Sequence, residues 1–219
     1  MAQVQYKATL FDLDGTLLDP LEDLADSMNA VLECRGLPTH EVEEYKFMVG
    51  DGVSTLARKA LPMEWCGEQT IADCVMEMRD EYKRRWDKKT RPYDGIPDLL
   101  DALTARGLAM TVLSNKPDDF TRLCISKFLG NWRFDAIQGV DEGVRKKPDP
   151  SGALTIAAKL DIPPAEFLYV GDTNTDMQTA VAAGMYPVGA LWGFRTAGEL
   201  LASGAKVLIE RPGDLLKLL

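Results

Sequence analysis

The chain has 219 residues, of which 46% are apolar and 27% are charged. This composition is typical of a globular protein with a sizeable core, and it excludes an intrinsically disordered chain, which would contain fewer apolar residues. The formal net charge is −9. Nucleic-acid binding is therefore not expected, because such proteins bind phosphates through a basic face.

The cysteines and the apolar pattern predict the compartment. Four cysteines are scattered along the chain and none forms a Cys-x-x-Cys pair, so neither a zinc site nor a redox motif is indicated. Free thiols fit a reducing cytoplasm. Residues 1–7 contain no apolar signal core, and no apolar run is long enough to span a bilayer. We therefore expect a cytoplasmic protein without a membrane partner.

The first predicted element is a buried strand over the apolar run Tyr6–Phe11, which leads into a turn. The pattern then changes, because β-branched residues are sparse until about residue 89. Helices are predicted over Glu22–Arg35, Val53–Leu61 and Gln69–Trp86, with a break at residues 50–52. We interpret residues 19–89 as an all-helical insertion.

Strands and helices alternate in the rest of the chain. Strands are predicted over Ala109–Leu113, Ala136–Gly139, Phe167–Val170, Tyr186–Ala190 and Lys206–Ile209. Helices are predicted between them, and a further helix follows the last strand. This alternation predicts a parallel sheet that is covered on both faces. The expected fold class is α/β, a doubly wound Rossmann-like core of residues 1–18 and 90–219 with the helical cap of residues 19–89 inserted.

Three of the predicted strands end in polar clusters, at the sheet edge where such folds bind ligands. Asp12 and Asp14 directly follow an apolar strand, where carboxylates are unfavourable unless they are paired or bound to a metal. Asp172 and Asp176 lie four residues apart at a predicted helix start. A divalent cation would convert their repulsion into coordination. A simple turn, or an N-cap with an acidic first turn, is the competing explanation.

Two further elements supply groups that suit a phosphate. Ser114 and Asn115 offer a hydroxyl and an amide, although Ser-Asn before a helix is also ordinary capping chemistry. Lys147 lies beside a Pro-x-Pro turn and offers a point charge. In isolation, a surface lysine is the more common explanation. The order of the four elements along the chain decides between these interpretations.

That order resembles the haloacid dehalogenase-like hydrolase superfamily. Its four motifs are matched by Asp12-Leu-Asp-Gly-Thr, Ser114-Asn, Lys147-Pro and Gly171-Asp-Thr-x-x-Asp. The segment between the first two motifs resembles the helical cap of one large subgroup. Local similarities to phosphoglycolate phosphatases occur at Val49–Val53, Arg91–Ile96, Trp192–Arg195 and Pro212–Leu216.

The resemblance implies roles for the acidic residues. Asp12 would be the nucleophile that attacks phosphorus. Asp14 would protonate the leaving oxygen and then activate the water that hydrolyses the aspartyl-phosphate. Mg²⁺ would be held by the side chains of Asp12 and Asp172 and by the backbone carbonyl of Asp14. Asp176 would support the metal site or Lys147.

The resemblance also implies binding residues. Ser114, Asn115 and Lys147 would bind the transferring phosphoryl group, with Thr16 close by. In the cap, the specificity loop would consist of the three residues Gly50, Asp51 and Gly52. Arg58 or Lys59 would pair with a substrate carboxylate. Asp51 puts an acid at that loop, which weakens the phosphoglycolate assignment but not the phosphatase assignment.

The predicted function is Mg²⁺-dependent hydrolysis of a small phosphate ester, with 2-phosphoglycolate as the best guess, by a monomer or weak dimer. A phosphosugar mutase, a nucleotidase and a pyrophosphatase share the motifs and stay open. A phosphonatase would need a cap lysine, for which Lys46 or Lys59 are weak candidates. A haloacid dehalogenase would not need Asp14. A binding module without activity would have lost one of the motifs, and all four are present.

Overall fold

The structure is a computed structural model that describes residues 5–219. The first four residues lie outside the described part, and they include the start of the segment assessed for a signal sequence. The described chain forms eight strands: β1 (Ala8–Phe11), β2 (Leu18–Asp19), β3 (Arg91–Pro92), β4 (Ala109–Pro117), β5 (Ala136–Val140), β6 (Phe167–Gly171), β7 (Tyr186–Ala190) and β8 (Val207–Ile209). It also forms eight α-helices: α1 (Leu21–Cys34), α2 (Val53–Ala60), α3 (Glu68–Arg85), α4 (Ile96–Ala105), α5 (Asp118–Phe128), α6 (Ser151–Leu160), α7 (Asn174–Ala183) and α8 (Ala197–Ala202).

These elements divide into two compact units. One contains the residues up to Leu18 together with Pro92–Leu219, and the other is Asp19–Arg91. In the described residues, no helix combines the length and the apolarity needed to cross a membrane.

The first unit is built on a six-stranded sheet in the order β5-β4-β1-β6-β7-β8. Every neighbouring pair of strands is parallel. All residues of β1 and β6 are buried, which requires that helices cover both faces of the sheet. The predicted α/β fold class with a doubly wound parallel sheet is confirmed.

One face of this sheet packs against α6 and α7. In α6, Ala153, Ile156 and Ala157 recur at the spacing of three and four residues that gives a helix one apolar side. They join a core cluster that contains Leu10 of β1 and Tyr169 of β6. This packing holds the central strands rigidly, so the residues that follow them are fixed in position.

The register of the central strands determines which residues meet at the carboxyl edge of the sheet. Phe11 of β1 lies opposite Val112 of β4 on one side and Val170 of β6 on the other. The backbone N–H of Asp12 then donates to the carbonyl of Val170 at 3.0 Å. The residues that follow β1, β4 and β6 therefore emerge side by side.

Strand β4 is longer than predicted. The polar residues after Leu113 were predicted to lie beyond the strand, but the extended backbone continues to Pro117. Leu113 pairs with Gln138 and Pro117 pairs with Val140, so residues 114–116 interrupt the regular register. Such irregularities redirect side chains and are common beside active sites.

The second unit is helical. Its helices α1, α2 and α3 lie within one residue of the predicted bounds at each end. Helix α3 packs against both α1 and α2. Two short 3-10 helices, Val42–Phe47 and Met63–Trp65, were not predicted, because segments of that length carry little periodicity.

The strands β2 and β3 pair with each other where the chain passes between the two units. Close to this point, the carboxylate of Asp23 in α1 is completely buried. It accepts hydrogen bonds from the backbone N–H of Lys89 at 3.0 Å, the backbone N–H of Thr90 at 2.9 Å and the hydroxyl of Thr90 at 2.7 Å. Asp23 therefore ties the first helix of this unit to its last residues.

We expect Asp23→Ala to lower the free energy of unfolding of this unit by about 2–4 kcal/mol, because it leaves buried donors without an acceptor. The measurement is urea unfolding followed by circular dichroism. Glu33→Ala, at an exposed position of the same helix, is the control and should change stability by less than about 0.5 kcal/mol. Equal effects of the two substitutions would contradict the role of Asp23.

Candidate active site

Three buried carboxylates converge at the carboxyl edge of the sheet. Asp12 follows β1, Asp172 follows β6, and Asp176 lies in the first turn of α7. Each offers an oxygen atom, and these atoms all lie within 4.8 Å of one another. Like charges this close, with little contact with water, must be neutralised by cations or by protonation.

Lys147 supplies one of these cations. Its Nζ lies 2.7 Å from Oδ1 of Asp12 and 2.7 Å from Oδ1 of Asp176, and it donates to the carbonyl of Leu113 at 3.1 Å. Burial alone would lower the pKa of Lys147, but the two carboxylates outweigh this effect and hold its pKa well above the ordinary value. Lys147 is therefore a permanently charged group.

Asn115 fixes the backbone of Lys147. The amide oxygen of Asn115 accepts from the N–H of Lys147 at 2.9 Å, and its NH₂ group donates to the carbonyl of Lys147 at 3.2 Å. The hydroxyl of Ser114 accepts from the backbone N–H of Lys116 at 3.2 Å. The sequence predicted phosphate binding for Asn115 and Ser114, and it did not reveal these structural contacts.

Both oxygens of Asp172 are held in place. Oδ1 accepts from the hydroxyl of Thr16 at 2.8 Å, and Oδ2 accepts from the backbone N–H of Phe194 at 2.9 Å. Burial, followed by repulsion from Asp176, raises the pKa of Asp172 to about 7. The structure shows the Thr16 hydroxyl bound to Asp172, and the predicted position of Thr16 near the phosphate stays a prediction.

The loop after β7 packs closely on the Asp12–Thr16 loop. The indole N–H of Trp192 donates to the carbonyl of Thr16 at 2.9 Å. A Cβ atom on Gly193 would collide with Asp172 and with the carbonyl of Gly15. The sequence identified this loop only as a local similarity and gave no sign that it contacts Asp172.

Asp176 is held by its own helix. Thr173 is the N-cap residue of α7. Its backbone N–H donates to Oδ2 of Asp176 at 3.0 Å, and the backbone N–H of Asp176 donates to the Thr173 hydroxyl at 3.3 Å. The other oxygen accepts from Lys147, and the hydroxyl of Tyr169 lies 3.4 Å from it. Both oxygens thus have partners, which suits a residue that supports Lys147.

Asp12 has one fixed oxygen and one without a partner. Oδ1 accepts from the backbone N–H of Leu13 at 2.7 Å and pairs with Lys147, while Oδ2 has no hydrogen-bond partner in residues 5–219. Burial, and then repulsion from Asp176, raises the pKa of Asp12 well above its ordinary value.

Asp14 is paired with a lysine that the sequence analysis did not single out. Nζ of Lys116 lies 2.8 Å from Oδ2 of Asp14, and the lysine side chain is only 5% exposed. Oδ1 of Asp14 is buried and has no hydrogen-bond partner among the described residues. The available signal was the position of Lys116, two residues after Ser114 on the strand next to β1.

These groups fit a hard divalent cation. Buried carboxylate oxygens are the ligands that Mg²⁺ prefers, and Asp12 and Asp172 lie close enough together to share one ion. The cation would offset the excess negative charge that Lys147 alone leaves. The ligand roles of Asp12, Asp14 and Asp172 stay predictions.

The predicted cap residues lie in the second unit. Gly50 and Gly52 have positive φ angles of 107° and 89°, and α2 begins directly after Gly52. Asp51 is already paired within this unit, because Nζ of Lys59 lies 3.2 Å from its Oδ2 and also donates to the carbonyl of Phe47 at 2.9 Å. Arg58 is exposed and has no ion pair among residues 5–219.

The buried acids predict that the stability of the metal-free protein depends on pH. With a pKa of about 7 when folded and about 3.9 when unfolded, Asp172 binds more protons in the folded state between these values. The free energy of unfolding should therefore fall as the pH rises through this window, by up to roughly 4 kcal/mol. Lys147 stays charged throughout this pH range, so it does not reverse the direction in which the free energy of unfolding changes.

Mg²⁺ should reverse this loss, because metal binding requires ionised carboxylates. We expect MgCl₂ to raise the melting temperature by several degrees near pH 8 and by much less near pH 5, as measured by scanning fluorimetry with EDTA-treated protein. Asp172→Asn should reduce the pH dependence, to which Asp12 also contributes, and should remove the response to Mg²⁺. A response of equal size at both pH values would count against the metal site.

The chain matches the family model described as Haloacid dehalogenase-like hydrolase over residues 9–190. It is 31% identical over 207 residues to a phosphoglycolate phosphatase of Xylella fastidiosa, with 94% of this chain and 90% of the relative covered. It is 30% identical over 220 residues to an N-acetylmuramic acid 6-phosphate phosphatase of Pseudomonas aeruginosa, with 100% and 97% covered. Among solved structures, that of a predicted phosphoglycolate phosphatase from Haemophilus somnus matches with a TM-score of 0.89 and 26% identity, covering 98% of each chain.

The matched region contains all four motifs, from Asp12 to Asp176. The two curated relatives are both phosphatases, which agrees with the predicted enzyme class, a phosphoric monoester hydrolase. The predicted family is confirmed, and this chain belongs to the haloacid dehalogenase-like hydrolase family.

Proposed function

We propose that this hydrolase cleaves a small phosphate monoester in a Mg²⁺-dependent reaction through an aspartyl-phosphate on Asp12. The observation that carries this proposal is the state of the Asp12 carboxylate. One oxygen is fixed by Lys147 and by a backbone N–H, and the other has no partner in the described chain. A carboxylate oriented in this way has one oxygen available to attack phosphorus.

The negative charges in the site must be neutralised before a phosphate dianion can approach. Lys147 contributes one fixed positive charge between Asp12 and Asp176. Mg²⁺, when bound, supplies the remaining neutralisation and polarises the phosphoryl group. Asp12, Asp172 and the backbone carbonyl of Asp14 would hold it, with Asp176 in a supporting role.

The reaction then proceeds in two displacements. In the first, an oxygen of Asp12 forms a bond to phosphorus, the bond from phosphorus to the ester oxygen breaks, and Asp14 gives its proton to the departing alcohol. In the second, Asp14 takes a proton from water as the water oxygen attacks phosphorus. The bond to Asp12 breaks and inorganic phosphate leaves. Covalent capture replaces one difficult step with two easier ones.

We expect the wild type to hydrolyse 4-nitrophenyl phosphate in the presence of Mg²⁺ and to lose this activity in EDTA. Asp12→Asn should lower kcat by at least about 10³-fold, because it removes the nucleophile while keeping the shape of the side chain. Release of 4-nitrophenolate is the measurement. Glu33→Ala, on the exposed side of α1, serves as the control. An inactive wild type, or full activity in Asp12→Asn, would contradict the proposal.

We propose 2-phosphoglycolate as the first substrate to test, and the helical segment of residues 19–89 as the cap that selects it. The similarity to phosphoglycolate phosphatases at 31% identity supports this choice. Arg58, which has no ion pair in the described chain, is the proposed partner of the substrate carboxylate, because Lys59 is already engaged by Asp51. We also propose that the enzyme acts in the cytoplasm, which its four free cysteines support, and that it is a monomer or weak dimer.

If this substrate is correct, kcat/KM for 2-phosphoglycolate should exceed the values for hexose phosphates and nucleotides by at least about 10-fold. Phosphate release is measured for each compound. Arg58→Ala should raise KM for 2-phosphoglycolate and leave 4-nitrophenyl phosphate unaffected. The control is Arg84→Ala, since Arg84 is an exposed arginine of the same unit that pairs with Glu81. A clear preference for N-acetylmuramic acid 6-phosphate would contradict the proposed substrate, but it would agree with the proposed phosphatase mechanism.

A further inference from the structure

The Ser114–Lys116 segment contains a buried lysine that the mechanism above does not use. Lys116 is 7% exposed, although lysine is almost never buried unless it is paired. It lies in the part of β4 where the strand register is interrupted. Its Nζ donates to the carboxylate of Asp14. The site therefore contains two buried ammonium groups, and each serves a different carboxylate of the Asp12–Asp14 loop.

The two oxygens of Asp14 are unequal because of this contact. Oδ2 lies 2.8 Å from Nζ of Lys116, and Oδ1 is buried without a hydrogen-bond partner in residues 5–219. An ammonium group is only a donor, so the oxygen that it faces must be an acceptor. When Asp14 carries a proton, that proton is therefore placed on Oδ1.

We propose that Lys116 is a positioning residue that orients Asp14 so that Oδ1 both donates and accepts the catalytic proton. This inference rests on the proposed function, because it assumes that Asp14 is the acid and base of a phosphatase. In the first displacement, the proton on Oδ1 moves to the ester oxygen as the bond to phosphorus breaks. In the second, Oδ1 takes a proton from the attacking water. Lys116 keeps all of its own protons throughout.

The test compares two leaving groups. An alkyl phosphate such as 2-phosphoglycolate needs a proton on its departing oxygen, whereas 4-nitrophenolate leaves readily as an anion. Lys116→Met should lower kcat/KM for the alkyl ester by about 100-fold, within the range of general acid catalysis. For 4-nitrophenyl phosphate, the loss should be below about 10-fold. Because both values come from one preparation, the fraction of folded protein cancels in their ratio.

A second comparison uses Asp14→Asn as the background. In that background Lys116→Met should cause no further selective loss for the alkyl ester, because the group that it orients is already gone. Lys159→Met, at an exposed position of α6, is the control and should leave the ratio unchanged. If Lys116→Met does not fold, Lys116→Arg keeps the charge but moves the donors, and it should show the same selectivity to a smaller degree.

Equal losses for both esters in the Lys116 variants would overturn the proposal, since they would indicate that Lys116 acts on the phosphoryl group or on folding. An undiminished selective loss in the Asp14→Asn background would overturn it as well. Failure of the proposed function is a separate result, because the wild type would then hydrolyse neither ester.

Discussion

The arrangement of buried side chains at the carboxyl edge of the sheet depends on the balance of charge around Lys147. Three carboxylates gather at one edge of the sheet, and the ionised form of each is unfavourable there without a cation nearby. Lys147 contacts two of them, and it is itself held at its backbone by the amide of Asn115. The charged forms of the acids and of the lysine therefore stabilise each other, because neither is favourable in a buried position alone.

The remaining carboxylate, that of Asp172, is held by neighbouring loops. Asp172 is held on one side by Thr16 and on the other by the backbone of Phe194. Gly193 permits this contact, because any side chain there would occupy the space of Asp172. A loop that follows β7 thus fixes a side chain that follows β6, and the two strands are adjacent in the sheet. Precision of this kind is what catalysis of phosphoryl transfer requires.

Much of this architecture could be predicted from the sequence, because the signals were strong and local. The helices of the second unit have clear periodicity, and the apolar run before Asp12 defined the central strand. The acids that directly follow the strands could be identified because a buried carboxylate is unfavourable unless it is paired or bound to a metal. The contacts of Thr16 and Asn115 were not predictable, because either residue can bind a ligand or a neighbour equally well. Lys116 was missed because its role depends on strand register, which connects residues that are about a hundred positions apart.

The interruption in β4 is where neighbouring residues of one short segment, residues 114–116, contact different parts of the site. Residues 114–116 leave the regular ladder, so their side chains need not alternate strictly between the two faces of the sheet. Asn115 turns towards Lys147 and Lys116 turns towards Asp14.

The pairing of β2 with β3 has an evolutionary consequence. Adjacent strands lie about 5 Å apart, so the points where the chain leaves and rejoins the Rossmann-like scaffold are neighbours. A segment inserted between two neighbouring points can become longer, become shorter or be replaced by another segment without changing the spacing of the parallel strands. The carboxylates at the edge of the sheet and the inserted helical segment can therefore change independently in evolution.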